Sequence, residues 1–302
     1  MVRKKPSIII ILGPTAVGKS RLAVDVARRF GGEVISADSR QVYRGLDIAT
    51  GKITQKEMRG VPHHLLSMAD PRRTFTAARY KKLADAAVRA SIRRGKLPVI
   101  CGGTGFYIAA LEGSTPVPEV PPDAALRKDL SKKNPAELFA ILRRLDSRRA
   151  GSIDPNNSRR LIRAIEIATA LGKVPALRPV DSPYRACLIG LDRPDQELRE
   201  LIASRTKKRL RRGMLAEARQ LRESGLSLKR MRELGLEYAR LADFLEGTIS
   251  KEELAEKIER DNWHYAKRQR TWWKRDTRIR WFHPDDTKQV YTLLGQFLET
   301  AE

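Results

Sequence analysis

The chain has 302 residues, two cysteines and a 41% hydrophobic content, enough for one large or two modest folded domains. Lys and Arg number 60 against 36 Asp and Glu, a formal charge of +24. An excess of that size argues for a polyanionic partner, most simply nucleic acid. No apolar run reaches membrane-spanning length, and Cys101 and Cys187 lack metal-ligand spacing, which fits a reduced, cytoplasmic setting.

The basic start runs directly into apolar residues 8–12, which read as a buried parallel strand and not as part of a signal peptide. The next stretch, Gly13-Pro14-Thr15-Ala16-Val17-Gly18-Lys19-Ser20, fits the phosphate-binding loop G-x-x-x-x-G-K-[ST]. A helical pattern follows over 21–30 and stops at Gly31-Gly32. In such a loop the backbone N–H groups and the helix N-terminus face phosphate oxygens. Lys19 adds a point charge, and the Ser20 hydroxyl is placed to ligate Mg²⁺.

A second strand is expected over 33–37, ending at Asp38-Ser39-Arg40-Gln41. Asp38 there can act as a general base, ligate Mg²⁺ or cap a turn. His63-His64 falls in a turn-rich stretch with no third ligand at metal spacing, so structural roles are expected. A helix over about 76–94 closes at Gly95, and a third strand over 97–101 runs into Gly102-Gly103-Thr104. Thr104 can bond a ligand or cap the helix that follows. Alternating strands and helices predict an α/β fold with a parallel sheet. In such sheets ligands lie beyond the carboxyl ends of the strands, so the phosphate loop, Asp38 and Thr104 should converge on one crevice.

Four prolines between Ser114 and Pro122 mark a boundary. Residues 123–171 read as helical, with Asp154-Pro155-Asn156-Asn157-Ser158 as a capping stretch. A polar link over 178–184 precedes a further strand at 186–191. The expected domains are therefore a core over 1–115, a helical insertion over 116–185, and a return to the core with basic helices over 186–302.

Helix is expected over 195–224 with a break at Gly213, where residues 201–230 carry ten Lys/Arg against Glu217 and Glu223. A long helix over 251–276 interleaves Trp263, Tyr265, Trp272 and Trp273 with bases, a pattern suited to RNA. One face should pack and the Lys/Arg face should meet phosphate. A last strand is expected over 278–283.

Taken together, these segments resemble the tRNA dimethylallyltransferases (tRNA isopentenyltransferases), of bacterial type because no C-terminal zinc finger is present. The likeness is carried by the phosphate loop, Ser36-Ala37-Asp38-Ser39-Arg40-Gln41-Val42-Tyr43, Pro62-His63-His64-Leu65-Leu66 and Gly102-Gly103-Thr104-Gly105-Phe106-Tyr107. It continues in Asp154-Pro155-Asn156-Asn157, Arg159-Arg160-Leu161-Ile162-Arg163-Ala164-Ile165-Glu166 and Tyr265-Ala266-Lys267-Arg268-Gln269. The order is the family's and spans nearly the whole chain. The resemblance implies a P-loop NTPase-like core. It also implies transfer of a dimethylallyl group from its diphosphate to N6 of the adenosine 3′ of the tRNA anticodon, with Mg²⁺.

By that resemblance the loop holds diphosphate and Asp38 is the base. Thr104 lies near the target adenine, and Arg205 falls at a diphosphate arginine. Asp38, Ser39, Arg40, Gln41, Thr104, Arg127, Arg159, Arg160, Leu161, Ile162, Arg163, Lys267, Arg268 and Gln269 then contact the tRNA anticodon stem-loop. One departure stands out. Family members often carry Gly-Tyr-Arg/Lys where this chain reads Glu233-Leu234-Gly235-Leu236-Glu237-Tyr238. A nucleoside kinase using the same loop gives no reason for the charge, and a non-catalytic RNA-binding NTPase predicts no modified product. A monomer is expected.

Overall fold

In the computed structural model, residues 5–115, 117–176 and 181–300 are described. Met1–Lys4, Pro116 of the proline-rich boundary and the first three residues of the 178–184 link lie outside that set. The chain folds as two compact units, one of Met1–Gly113 with Asp181–Glu302 and one of Ser114–Val180.

The larger unit is built on a six-stranded, all-parallel sheet. The first strand β1, Ser7–Leu12, is followed by helix α1, Lys19–Arg29, and strand β2, Gly32–Ser36. A single turn α2, Gln55–Met58, precedes the two-residue strand β3, His63–His64. Helix α3, Ala77–Arg93, strand β4, Leu97–Cys101, and helix α4, Gly105–Glu112, complete the first segment.

Ser114–Val180 contains α5 (Ala124–Leu130), α6 (Pro135–Leu145), α7 (Ser147–Ala150) and α8 (Ser158–Leu171). The core resumes with β5, Arg185–Leu191, then α9, Asp195–Arg211, and α10, Met214–Glu223. Then come α11 (Leu228–Leu234), α12 (Glu237–Leu245), α13 (Lys251–Trp273), β6 (Arg280–Phe282) and α14 (Thr287–Glu299).

The strand order is β3-β2-β4-β1-β5-β6. Central β1 pairs with β4 through Ile9–Val99 and with β5 through Ile9–Cys187. Ile8 to Leu12 are fully buried because both faces are covered, which is why the strand is continuously apolar rather than alternating. Ile8, Ile10 and Leu12 pack with Tyr80, Ala84 and Val88 of α3 and with Ile108 of α4. Ile9 and Ile11 pack with Leu22, Ala23 and Val26 of α1, Leu198 of α9 and Val290 of α14. The smaller unit has its own core, including Leu138, Leu142, Leu161 and Ile165.

Several expected elements change. His63-His64 is a short edge strand, paired to Val34 and Ile35, and not a turn. The helical stretch 123–171 is four helices, split where Asn134, Asp146 and Asn157 each accept a backbone N–H bond and start a new one. Gly213, at φ 102°, breaks the 195–224 helix as expected. The long helix stops at Trp273, and the last strand contracts to three residues. Helices α2, α11, α12 and α14 are additions to the elements read from the sequence.

The edge of the sheet is tied by a buried carboxylate. Glu33 accepts bonds from Arg94 Nη2 at 2.5 Å, Ser91 Oγ at 2.8 Å and His64 Nε2 at 2.8 Å. His64 is thus held by an acid. The Arg94 guanidinium, with Ser91 and His64, pulls the Glu33 carboxyl down to about 2. A depressed acid contributes stability that is complete above its unfolded value, 4.5, and is lost as pH falls towards 2. Glu33→Gln should therefore lose on the order of 3 kcal/mol at neutral pH. The gap from the parent should narrow below about pH 4.5 and close towards pH 2, read from denaturant melts at several pH values. A gap that stays constant down to acid pH would show that Glu33 ionisation does not stabilise the fold.

Candidate active site

Three loops leave the carboxyl ends of β1, β2 and β4 and meet. They are stitched by backbone bonds, Ala37 N to Cys101 O at 2.8 Å and Gly102 N to Ile11 O at 3.1 Å. The approach is tight. A Cβ on Gly13 would stand 2.2 Å from Leu191 O, and one on Gly102 would stand 2.1 Å from Ala37 O. Gly13 also has φ 140°, so no side chain fits there on either count.

The phosphate loop ends at Gly18, the N-cap of α1, so that helix N-terminus faces the loop. Lys19 Nζ folds back to donate to Pro14 O at 2.6 Å. Arg205, on α9, donates from Nη2 to Thr15 Oγ1 at 2.6 Å, which puts a second cation against the loop. Burial pushes Lys19 down to about 8, with Arg205 acting in the same direction and Asp38 opposing. Burial likewise pushes Arg205 down to about 9, with Arg209 adding to it and Glu237 and Asp38 opposing. Two neighbouring cations made uncomfortable by desolvation form a site whose charge a polyanion relieves.

The facing wall carries the carboxylate. Asp38 Oδ1 accepts from Arg40 N at 2.8 Å and Gln41 N at 3.3 Å, a turn-capping arrangement. The capping alternative is therefore real, and it uses one oxygen. Thr104 is the N-cap residue of α4 but makes no side-chain cap bond. Its Oγ1 instead accepts from Ser39 N at 3.0 Å and fixes the Asp38 loop to the β4 loop. Asp38, Thr104, Thr15 and Arg205 line one cavity of about 460 Å³, with Phe106, Leu236 and Trp272 among its apolar walls. Tyr265 also lines it, its phenol pushed up to about 12 by burial and by Asp38.

The α13 residues do two jobs. Lys267 and Arg268 are exposed, near the rings of Trp263 and Tyr265 respectively, each at 5.8 Å. Trp273 is buried, while Trp272 is 42% exposed beside the cavity, so the split of this helix into a packed and an open face holds in part. Arg270 departs from it, turning to Asp192 and Asp195.

Gln269, expected to contact the tRNA, lines the same cavity and has a structural role besides. It is buried, its Oε1 accepts from Thr15 N at 2.8 Å, and its Nε2 donates to Gly103 O at 2.8 Å. Both ends of the amide are used to clamp the β1 loop to the β4 loop. Leu161, also expected among the tRNA contacts, is instead fully buried in the core of the smaller unit, so its side chain packs there. Within that unit Arg127 is bound through two bonds to Glu166, at 2.6 and 2.7 Å, and Arg163 bonds Glu166 and Val120 O. Ile162 is half-buried, and Arg159 and Arg160 are the exposed members of the set.

Sequence reasoning missed Arg209, Glu237 and Asn262, all buried. A signal existed for α13: Asn262, Tyr265 and Gln269 stand at i, i+3 and i+7, a polar stripe on the face that packs.

Gln269→Ala leaves the buried Thr15 N–H without its partner and weakens the hold on Gly103. An expected loss is about 2 kcal/mol of stability, read from denaturant melts, together with weaker binding of inorganic diphosphate. An unchanged melting midpoint would show that the clamp is not needed.

Comparison with known proteins gives a consistent family. A family model described as IPP transferase matches residues 41–276, beginning just after Asp38. The chain is 39% identical to tRNA dimethylallyltransferase 2 of Syntrophus aciditrophicus, over 98% of this chain and 97% of that protein. It is 38% identical to the tRNA dimethylallyltransferase of Pelotomaculum thermopropionicum, over 92% and 91%. Among solved structures, the full-length tRNA isopentenylpyrophosphate transferase of Bacillus halodurans superimposes with a TM-score of 0.74 at 34% identity, covering 99% of this chain and 98% of that one. A eukaryotic dimethylallyltransferase acting on tRNA gives 0.78 at 28% identity, covering 89% and 70%.

Proposed function

The chain belongs to the IPP transferase family of tRNA dimethylallyltransferases, and from that premise we propose that it moves the dimethylallyl group of dimethylallyl diphosphate to N6 of the adenosine 3′ of the anticodon. The observation that carries this reading is one cavity lined by Asp38, Thr104, Thr15 and Arg205, with Lys19 on the phosphate loop beside it.

In the proposed step a bond forms between N6 and C1 of the allyl group as the C1–O bond breaks. The electron pair of that bond leaves on the diphosphate, and the N6 proton passes to Asp38. The adenine amine is a weak nucleophile because its lone pair is shared with the ring, so a base at Asp38 helps as positive charge builds on nitrogen. The allyl group tolerates early bond breaking, so stabilising the departing diphosphate dominates. The loop N–H groups, Lys19 and Arg205 supply that stabilisation before the reaction starts, without waiting for water to reorient. Thr104 holds the loop that carries Asp38 through the 3.0 Å bond from Ser39 N, which keeps the base at its station.

Mg²⁺ fits the residues present. The described residues hold no cluster of three or more His, Cys, Asp or Glu for a metal, and a Mg²⁺ bound mainly through substrate phosphates asks for none. Ser20, in the first turn of α1, would supply the one protein hydroxyl, and the ion would add charge against the diphosphate.

Lys267, Arg268, Arg40, Arg159 and Arg160 support tRNA binding through phosphate contacts, in keeping with the chain's charge. An unpaired anticodon-loop base is inexpensive to turn out into a cavity. Among the described residues no helix is long and apolar enough to cross a membrane. A cytoplasmic, monomeric enzyme is the simplest setting for this substrate.

Incubation with unmodified tRNA and dimethylallyl diphosphate should add one prenyl mass to one adenosine, whereas ATP as sole donor should give no product. Asp38→Asn keeps the turn-capping oxygen and removes the base. Its turnover should fall roughly 10²–10⁴-fold, with tRNA affinity little changed in a filter-binding titration. An active variant would remove Asp38 from the base role. Affinity for tRNA should fall steeply between low and moderate salt; a flat response would count against binding through phosphates.

A further inference from the structure

Arg205 and Arg209 stand four residues apart on α9, so two like charges share one helix face. Arg209 is buried and donates from Nη1 to Ala49 O at 2.9 Å. The same nitrogen lies 3.3 Å from Oε1 of Glu237, itself 6% exposed. That carboxylate oxygen also accepts from Nδ2 of Asn262 at 3.1 Å. Asn262 is 2% exposed, and its amide nitrogen has a second acceptor, Ile258 O at 3.0 Å. With Nδ2 committed on both counts, the amide orientation is fixed and Oδ1 must face the other way. There it meets Arg205 Nη2 at 3.5 Å, the same nitrogen that reaches Thr15 in the phosphate loop.

Glu237 enters this position through an unusual backbone. The preceding Leu236 has φ 48° and ψ −129°, a conformation that a branched side chain rarely adopts. Strain of that kind persists where the surroundings over-determine it, and here it delivers a carboxylate to the first turn of α12, next to a buried arginine.

We infer that Glu237 and Asn262 are positioning residues: Glu237 neutralises Arg209 and orients the Asn262 amide, and Asn262 in turn holds the Arg205 guanidinium against the phosphate loop. This rests on the reading of Arg205 as a diphosphate ligand. The charged groups that bear on Arg205 are Arg209, which repels it, and Glu237 and Asp38, which attract it; Lys19 lies across the loop. Without Glu237 the repulsion from Arg209 is unopposed on the α9 side. Without Asn262 the guanidinium loses its fixed heading and keeps, among the described residues, its hydrogen bond to the Thr15 hydroxyl.

A double-mutant cycle on the full-length protein, read by calorimetric titration with inorganic diphosphate, tests this. Asn262→Leu and Glu237→Gln should each weaken diphosphate binding roughly tenfold. In an Arg205→Ala background each should add less than about twofold, because they act through Arg205. Equal losses with and without Arg205, or single variants that bind diphosphate like the parent while melting earlier, would overturn the inference and leave a purely structural ion pair. Glu237→Gln is nearly isosteric and keeps the test open if Asn262→Leu does not fold. A parent protein that fails to bind diphosphate at all would reject the functional reading itself, and the inference with it.

Discussion

Positive charge partly withheld from water at the phosphate loop is the constraint on which the site depends. Lys19 and Arg205 both have their proton affinity lowered by burial, and no carboxylate makes a direct ion pair with either among the described residues. Desolvated cations are costly, and the surrounding structure is arranged to carry that cost. Pro14 O and Thr15 Oγ1 receive their N–H groups and more distant acids supply a compensating field, whereas the N-terminus of α1, itself positive, adds to the cost until an anion arrives. A polyanion entering such a place finds donors already aimed, so little of its binding energy goes into reorganising the site.

The sheet was largely readable because its strands are short apolar runs bounded by glycine and proline, and buried parallel strands have that signature. The meeting of three loops followed from the same rule, since each comes after a strand of one parallel sheet. Helix α1 and the Gly213 break were legible for equally local reasons. Elements α11, α12 and α14 were not, because their identity depends on packing against distant partners: Met231 and Tyr238 lie in the same cluster as β1, and Leu294 packs with the cluster on the opposite face. The two-residue β3 exists only because Val34 and Ile35 offer it an edge.

The site was readable at its first layer and opaque at its second. Lys19, Asp38 and Thr104 belong to recognisable patterns, Arg205 on a basic helix is singled out by the family resemblance alone, and the structure brings all four to one cavity or to the loop beside it. Gln269 belonged to a recognisable pattern too, yet its amide turns inward. Nothing in a run of Lys267-Arg268-Gln269 says which of three consecutive polar residues faces the core; the helical phase of α13 decides it. The departure at Glu233 to Tyr238 has a similar explanation. Glu237 and Tyr238 are buried, Tyr238 donating to Glu217 at 2.6 Å, so this stretch supports the interior rather than presenting a basic surface.

The clamp at Gln269 ties it to Thr15 across 254 positions of chain. The phosphate loop is made long before the side chain that closes it to the β4 loop. On the ribosome, therefore, a chain with its first five strands complete owns a phosphate-binding loop that is not yet closed onto its neighbour. Closing of the pocket is in this sense a late event, and a message cut short before α13 yields a polypeptide that carries the motif without the side chain that clamps it.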